Sequence, residues 1–288
     1  MQVTAQDVAA ARSAIQSHVV RTPTVPAPRL GEPLGVRLWL KLENLQFTGS
    51  FKDRGSCLKL QRLAQAAEPP RGVIAASAGN HAQGVAYHSR RLGLPAVIVM
   101  PKATPFSKVE RTEALGATVV QSGESVTESY ARAVEIAAEQ GLAVVHPYDD
   151  PAIVAGQGTA AMELFEDRPE PDVLVVPIGG GGLAAGMALW AKHIRPQVRI
   201  VGVQTELCPS MHAALRGEAP PVLRTHTLAD GIAVKAPGAV TTPILRALLD
   251  DVVLVSEADL ERAVQLLAAQ QKVVAEGAGA AAFAAVLA

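Results

Sequence analysis

The sequence predicts an α/β protein, in which mostly parallel sheet is covered by helices on both faces. Short runs of β-branched residues alternate with alanine-rich segments of helical length along the 288 residues, a rhythm typical of βαβ units. The apolar runs are continuous rather than alternating, which indicates strands that are buried on both sides. Strands are predicted at 36–42, 72–77, 96–100, 117–121, 142–146, 172–177, 198–204 and 251–256. Helices are predicted at 51–66, 81–92, 105–115, 126–140, 157–166, 182–194, 241–249 and 257–270.

Two stretches rich in proline and charge divide the chain. AEPPRG at 67–72 and HPYDDP at 146–151 bracket a compact block of strands and helices, as loops at a domain boundary do. We therefore expect a large domain made of residues 1–66 and 148–288, with a smaller domain of residues 67–147 inserted into it.

The composition excludes several classes of partner. A formal net charge of -1 gives no electrostatic reason to expect nucleic acid or an anionic membrane as partner. The longest apolar segments, such as AAAFAAVLA at 280–288, are shorter than the roughly 20 residues of a membrane helix. The first residues lack the layout of a signal peptide. The cysteines, Cys57 and Cys208, have no metal-like spacing and suit reduced thiols in the cytoplasm. The apolar surplus, 49% of residues, is compatible with contacts between subunits.

Four consecutive glycines form the first of three candidate functional loops. The stretch PIGGGGLAAG at 177–186 follows a predicted strand and opens a predicted helix. Glycine lets the backbone approach an anion closely, and free N–H groups converge at a helix N-terminus. We predict an anion site, for a phosphate, over the alternative of a flexible turn. The loop lacks the Gly-Lys-Ser/Thr of a nucleotide P-loop and the spacing of the dinucleotide fingerprint.

The second loop, SAGNHAQG at 77–84, also joins a strand to a helix. Ser77 or Asn80 could cap that helix, and a turn of small residues with free N–H groups would receive a carboxylate. The alternative of capping alone, with His81 on the surface, stays open.

The third loop, FTGSFKDRGS at 47–56, places Lys52 at the start of a predicted helix. A lysine is disfavoured there because the helix N-terminus is the positive end of the dipole. Lys52 is therefore either a surface residue or one kept for its amine, and a nearby phosphate site favours the amine. Pyridoxal phosphate is a cofactor that requires both a phosphate cradle and a lysine amine.

Across nearly the whole chain, ordered motifs resemble the fold-type II pyridoxal-phosphate enzymes, specifically the threonine/serine dehydratase and serine racemase group. These motifs are RTPT (21–24), LKLENLQFTGSFKDRG (40–55), SAGNHAQGVAY (77–87), VMPKATPFSKV (99–109), HPYDDPAIVAGQGT (146–159), PIGGGGLAAG (177–186), LADGIAV (228–234) and VVAEGAGA (273–280). The resemblance implies a tryptophan synthase β-like fold of two open, mostly parallel, twisted sheets with helices on both faces. It also implies that the large domain binds pyridoxal 5'-phosphate and that the small domain carries the substrate carboxylate loop.

The resemblance assigns roles to individual residues. Lys52 is the catalytic lysine that joins the cofactor covalently, and Phe51 packs beside the ring. Asn80 bonds the phenolic oxygen, Gly231 lines the opposite face of the ring, and Glu276 lies near its edge. The phosphate is cradled by Gly179, Gly180, Gly181, Gly182 and Leu183. The substrate carboxylate is received by Ser77, Ala78, Gly79, Asn80 and His81.

The reaction implied by the resemblance is β-elimination from L-threonine to give 2-oxobutanoate and ammonia, and from L-serine to give pyruvate. The resemblance also suggests a homodimer or homotetramer. A helix start and a buried, largely apolar site both lower the pKa of an amine, so we expect the Lys52 amine to be neutral and nucleophilic.

Two positions depart from the pattern of the family. Racemases of this group carry a serine where this chain has Ala78, so efficient racemisation is not expected. Many members hold a divalent cation with a Glu where this chain has Gln204, followed by Cys208 and Ser210. An amide and a thiol are poor ligands for a hard cation, so we predict no metal.

The sequence is also compatible with other functions. KDRG after the Ser-Phe pair is similar to the same stretch of threonine synthase or cysteine synthase, so a β-replacing synthase is one alternative. A dehydratase of another 3-hydroxy amino acid is a second alternative. Family members continue past the position of Ala288 with a strand and a Ser-Gly-Gly-Asn motif whose serine bonds the pyridine nitrogen. A catalytically impaired cofactor binder is therefore a further alternative, and feedback by isoleucine, which uses a C-terminal regulatory domain in this family, is not expected.

Overall fold

The computed structural model of the chain describes residues 3–219, 221 and 226–288. The helices are α1 (Ala5–Ile15), α2 (Pro28–Gly31), α3 (Lys52–Ala64), α4 (Asn80–Leu92), α5 (Phe106–Ala114), α6 (Val126–Gln140), α7 (Pro151–Asp167), α8 (Gly182–Ile194), α9 (Ser210–Arg216), α10 (Thr241–Leu248), α11 (Glu257–Leu266) and α12 (Gly277–Leu287). The strands are β1 (Thr24–Pro26), β2 (Trp39–Lys41), β3 (Val73–Ala76), β4 (Ala96–Met100), β5 (Thr118–Gln121), β6 (Ala143–Val144), β7 (Val173–Pro177), β8 (Arg199–Thr205) and β9 (Asp251–Val255).

Two parallel sheets confirm the predicted α/β class. One sheet has the order β5-β4-β3-β6 and the other the order β7-β8-β9, and every pair in both sheets is parallel. A separate antiparallel ribbon joins β1 to β2. The four strands of the first sheet lie between residues 73 and 144, inside the range predicted for the small domain. The division into domains itself stays a prediction.

Each predicted strand has an observed counterpart, but several elements were not predicted from sequence. They are β1, α1, α2, α9 and α12. The predicted start of the helix at 157–166 was wrong, since the observed helix α7 begins at Pro151. Asp150 accepts hydrogen bonds from the N–H groups of Ala152 and Ile153, and proline fits the first helical position. The glycines at 156 and 158 lower the helix propensity of this segment, which is why the sequence did not predict the start at Pro151.

The helix that begins with Lys52 is clamped between two others by glycine contacts. A Cβ on Gly84 of α4 would lie 3.4 Å from the backbone carbonyl of Lys52. On the other side, a Cβ on Gly156 of α7 would lie 2.7 Å from the Cα of Gly55. Because the backbones approach so closely, the start of α3 has little freedom to shift.

A buried ion cluster joins α3 to α7 and β2. The fully buried guanidinium of Arg54 pairs with Glu43 at 2.7 Å and with Glu163 at 2.8 Å, and Lys41 also pairs with Glu163 at 2.8 Å. Burial opposes the charge on Arg54, but the two carboxylates outweigh it and raise the pKa of the guanidinium. Burial likewise raises the pKa of the Glu163 carboxyl, but Arg54 and Lys41 have a larger effect in the opposite direction. The pKa of that carboxyl is therefore lowered overall. Charges compensated in this way are tolerated in a protein interior.

In the part of the chain that the structure describes, no helix is both long enough and apolar enough to cross a membrane.

Candidate active site

One open cleft of about 2120 Å³ collects every residue that the sequence assigned to a site. These residues are Phe51, Lys52, Ser77, Ala78, Gly79, Asn80, His81, Gly179, Gly180, Gly181, Gly182, Leu183, Gly231 and Glu276. They come from loops that follow β3 and β7, from the start of α3, and from the segments before α10 and α12. Parallel strands present such loops at their carboxyl ends, which is where open α/β sheets bind ligands.

The amine of Lys52 is held at the start of α3. Its Nζ donates a hydrogen bond to the carbonyl oxygen of Pro147 at 2.7 Å and lies 5.3 Å from the centroid of the Phe51 ring. The pKa of the Lys52 amine is lowered to about 8, because burial lowers it by more than the carboxylate of Glu276 raises it. With that pKa of about 8, about a tenth of the amine is neutral near pH 7, against far less for an ordinary lysine, and the neutral form is the one that acts as a nucleophile or a proton acceptor.

The glycine turn after β7 presents unbonded N–H groups at the start of α8. Within the described residues, the backbone N–H groups of residues 179–184 have no acceptor. Gly181 has a φ of +97°, a conformation that favours glycine. The carbonyl of Ile178 accepts a hydrogen bond from Gln204 Nε2 at 3.1 Å, and that of Gly180 accepts one from Thr241 Oγ1 at 2.6 Å. Free N–H groups at a helix N-terminus form a site for an anion such as phosphate.

The ring of Tyr148 covers this turn. A Cβ on Gly180 would overlap atoms of the ring, so only glycine fits at that position. The hydroxyl of Tyr148 donates a hydrogen bond to the carbonyl of Ala236 at 2.8 Å, which ties the loop after β6 to the segment before α10.

The loop after β3 is a second place for an anion. The N–H of Gly79 donates to Ser77 Oγ at 3.2 Å, whereas those of Ala78, Asn80 and His81 have no acceptor among the described residues. These free groups lie at the start of α4, at the positive end of the helix dipole. Free N–H groups of this kind suit a carboxylate, and the binding of a substrate carboxylate by this loop stays a prediction.

Asn80 and Glu276 meet across the cleft. Asn80 Nδ2 donates to Glu276 Oε1 at 2.7 Å, although the two residues are 196 positions apart in sequence. Burial raises the pKa of the Glu276 carboxyl, and the hydrogen bond from Asn80 opposes that change. A Cβ on Gly231 would lie 3.6 Å from Glu276 Oε1, which places that glycine beside the same carboxyl.

His81 is buried and neutral rather than on the surface, so the surface alternative for this residue was wrong. Its Nε2 lies 2.9 Å from the carbonyl of Val145, and its Nδ1 has no partner among the described residues. Burial lowers the pKa of the imidazole to about 3, with the nearby charge of Lys52 adding to the effect. The Nε2 nitrogen must carry the proton to donate to a carbonyl, which leaves Nδ1 as an acceptor.

Sequence reasoning missed the positioning role of the loop HPYDD at 146–150, which it used only as a boundary and as part of a resemblance. His146 Nδ1 accepts hydrogen bonds from the N–H groups of Tyr148, at 3.3 Å, and Asp149, at 2.8 Å. Asp149 accepts from the N–H groups of Ala239 and Val240 at 2.9 and 2.7 Å. The missed signal was the pair of acidic residues before a proline, since such residues commonly cap helices and turns.

The side chains weighed as metal ligands are bonded to the backbone. Gln204 is fully buried, and its Oε1 accepts from the N–H of His212 at 2.8 Å while its Nε2 donates to Ile178. Ser210 Oγ donates to the carbonyl of Val234 at 2.5 Å. Elsewhere in the described residues, no group of three or more His, Cys, Asp or Glu side chains could hold a metal ion.

The family follows from a comparison of the sequence with protein-family profiles. The profile described as "Pyridoxal-phosphate dependent enzyme" matches residues 15–288. The chain belongs to this family of pyridoxal-phosphate dependent enzymes.

Relatives within the pyridoxal-phosphate family are similar over nearly the whole chain. An L-threonine ammonia-lyase of Thermotoga maritima is 47% identical over 286 residues, which is 99% of this chain and 71% of that protein. The crystal structure of the T.th. threonine deaminase is 41% identical, with a TM-score of 0.90 over 98% of this chain and 92% of that one. Serine racemase of Dictyostelium discoideum is 31% identical, with a TM-score of 0.91 over 99% of this chain and 92% of that one.

The residues of the cleft fit pyridoxal phosphate. The unbonded N–H groups at 179–184 suit its phosphate, and the partly neutral Lys52 amine suits its aldehyde. The crowding of Gly180 and Gly181 against Tyr148 and Thr241 leaves no room for side chains on the turn itself.

Proposed function

We propose that this chain is an L-threonine ammonia-lyase, which converts L-threonine to 2-oxobutanoate and ammonia and also acts on L-serine to give pyruvate. The names of the relatives support it, since the protein of Thermotoga maritima and the T.th. deaminase are both named for action on threonine. The serine activity is supported by a solved fungal L-serine ammonia-lyase, 27% identical, with a TM-score of 0.83 over 93% of this chain.

One structural observation carries the proposal: the Lys52 amine, with a pKa lowered to about 8, shares its cleft with two separate anion-receiving loops. The glycine turn suits the phosphate of the cofactor, and the loop at 77–81 suits the carboxylate of an amino acid. An amino acid bound in this way has one end fixed by N–H groups at the start of α4. Fixing the substrate in an orientation that exposes its Cα proton is a major source of rate.

When bound, pyridoxal phosphate supplies an electron sink that makes the Cα proton of an attached amino acid acidic. The neutral amine of Lys52 is then the group of this chain that accepts that proton. Pro147 holds the amine through its carbonyl, so that little reorganisation is needed before proton transfer. Loss of the Cα proton and of the β-hydroxyl removes one water, and water later replaces the amino group as ammonia leaves.

The roles of the other site residues, and the domain division, belong to the same proposal. The amide of Asn80 and the carboxyl of Glu276 are hydrogen-bonded at one edge of the cleft, where the cofactor ring is expected. The loop at 77–81 belongs to the smaller domain, residues 67–147, and the glycine turn to the larger one. A cytoplasmic location is supported by two buried, unpaired thiols, Cys57 and Cys208.

A homodimer or homotetramer is supported by exposed apolar side chains. Leu45, Phe47 and Val274 are exposed by 50%, 56% and 83%, and exposed apolar residues are common where subunits meet. Sedimentation of the purified chain tests this assembly, and a monomer at micromolar concentration would contradict it.

The test of the activity is release of 2-oxobutanoate from L-threonine by the purified chain with pyridoxal phosphate supplied. Release by the parent chain and none by the variant Lys52→Ala is expected, since the variant lacks the proton acceptor. Turnover of an activated serine only when a thiol is added would instead favour β-replacement. Bound cofactor with no turnover of threonine, serine or other 3-hydroxy amino acids would favour an impaired binder.

A further inference from the structure

The glycine turn is held from behind by one hydroxyl group. Thr241 Oγ1 donates to the carbonyl oxygen of Gly180 at 2.6 Å, while its contact with the carbonyl of Gly238 is longer, at 3.4 Å. Thr241 is fully buried and is the first residue of α10. Its hydroxyl therefore points its proton at the turn across a sequence distance of 61 residues, rather than back along its own chain.

The direction of the Gly180 carbonyl determines the direction of the adjoining N–H group. A peptide group is planar and trans, so its C=O and N–H point in opposite directions. The carbonyl of Gly180 points at Thr241, and the N–H of Gly181 in the same peptide consequently points away from Thr241. That N–H is one of the groups without an acceptor among the described residues.

Without this hydrogen bond the peptide could rotate, because glycines flank it on both sides. Glycine accepts both signs of φ with little strain, and Gly181 already has a φ of +97°. Rotation of the peptide would turn the carbonyl oxygen toward the anion, where it would repel a phosphate. The neighbouring carbonyl of Ile178 has its own donor, Gln204, and does not depend on Thr241.

We propose that Thr241 is a positioning residue for the cofactor phosphate: its hydroxyl holds the 180–181 peptide so that the N–H of Gly181 faces the anion. The proposal rests on the proposed function only in taking the glycine turn as the phosphate site. Thr241 touches neither cofactor nor substrate in this assignment, and it acts through the backbone of the turn.

The alternative is that Thr241 only supports the fold at the start of α10. A structural role of that kind would affect all ligands of the cleft in the same way. A positioning role would affect ligands that carry a phosphate and spare those that lack one. Pyridoxal phosphate and pyridoxal differ in that single group and are the natural pair for the test.

The experiment measures the dissociation constants of pyridoxal phosphate and of pyridoxal for the cofactor-free chain, by absorbance or fluorescence titration. The dissociation constant of pyridoxal divided by that of pyridoxal phosphate gives a ratio that reports the contribution of the phosphate. We expect Thr241→Val, which keeps the shape and removes the hydroxyl, to reduce that ratio by about tenfold, as for the loss of about one well-placed hydrogen bond to a charged group. Thr241→Ser keeps the hydroxyl and is expected to preserve the ratio within about twofold.

Two outcomes would overturn the proposal: a ratio that is unchanged in Thr241→Val, or an equal loss of affinity for both ligands. Thermal unfolding of each cofactor-free variant checks that the fold is intact, and Thr241→Ala replaces Thr241→Val if the valine variant does not fold. Competition by inorganic phosphate gives a second readout, with weaker competition expected in Thr241→Val. Because binding is measured without turnover, the result stands whether or not the chain acts on threonine.

Discussion

The Nζ atom of Lys52 lies 2.7 Å from the carbonyl oxygen of Pro147, although the two residues are 95 positions apart in sequence. The carbonyl belongs to the loop at 146–150, which also contains His146. His146 Nδ1 accepts from two backbone N–H groups of its own loop, as an Asx side chain does in a turn. We therefore expect the position of the Lys52 amine to depend on His146 as well as on Pro147.

The first prediction concerns the acceptor on His146. In His146→Asn the side-chain oxygen lies at nearly the same place as Nδ1, so the turn should persist. In His146→Gln the acceptor lies one bond further out, and the turn should loosen. We expect the rate of covalent attachment of pyridoxal phosphate to the cofactor-free chain to fall roughly 2- to 10-fold in the Gln variant and to change little in the Asn variant. Borohydride trapping followed by mass spectrometry measures that rate, and equal rates in the two variants would contradict the role.

The site residues that could be predicted are those whose role is indicated by a short segment of sequence. The glycine turn, the SAGNH loop and Lys52 could each be recognised as a candidate site from a segment of about ten residues. The reason is that runs of small residues at a strand-to-helix junction are typical of ligand-binding loops. The resemblance then joined them to one cofactor, which the family match confirms. Their individual roles stay predictions, although all of them line one cleft.

The contacts that hold the site together could not be predicted, because each joins distant parts of the chain. The hydroxyl of Thr241 and the carboxylate of Asp149 look like ordinary helix-cap and turn residues in sequence. Only the packing of α10 against the glycine turn and the loop at 146–150 gives them partners. The strand β1 escaped prediction for a related reason: its three residues are too few to show a pattern, and they pair with β2 by tertiary contact.

The second prediction concerns the pKa of Lys52. Glu276 raises the pKa of the amine against the effect of burial, so Glu276→Gln should lower the pKa below about 8. Removal of a nearby negative charge makes the protonated amine less favourable. Competitive labelling of the cofactor-free chain with acetic anhydride, read at the Lys52 peptide by mass spectrometry, gives the midpoint. Asp230→Asn removes another acidic side chain that lines the cleft and should leave the midpoint in place; a midpoint that rises in Glu276→Gln would refute the assignment.

The third prediction concerns stability in acid. Burial lowers the pKa of His81 from 6.5 to about 3 in the folded chain, so between these values the unfolded chain binds more protons. Stability from a neutral His81 is therefore complete above pH 6.5 and is lost as the pH falls from 6.5 toward 3. His81→Gln keeps a donor for the carbonyl of Val145 but does not titrate. Urea unfolding from about pH 7 to about pH 4 should show a shallower loss of stability in the variant, and parallel curves would exclude a buried neutral imidazole.

The fourth prediction concerns the buried ion cluster around Arg54, two residues after Lys52. Arg54→Met leaves the carboxylates of Glu43 and Glu163 with one cation fewer in the interior. Breaking a buried pair from one side costs about 3–5 kcal/mol, so we expect a large fall in the free energy of unfolding, measured in urea on the cofactor-free chain. Arg132→Met serves as the matched control, since the partners of Arg132 are exposed glutamates and little change is expected. Similar stabilities for the two variants would show that the cluster does not support α3.

The fifth prediction concerns the face of the substrate opposite Lys52. Racemisation requires a second group that can give a proton to that face. The sequence resemblance assigns that position to Ala78, whose methyl group cannot donate a proton. We therefore expect the parent chain to form no D-serine from L-serine while it releases pyruvate. Ala78→Ser adds a hydroxyl and should make D-serine detectable by chiral chromatography, with deuterium from heavy water at its Cα. Ala78→Gly changes the same position without adding a proton donor and should form none. D-serine from the parent chain would show that another group, or a water molecule, already delivers the proton.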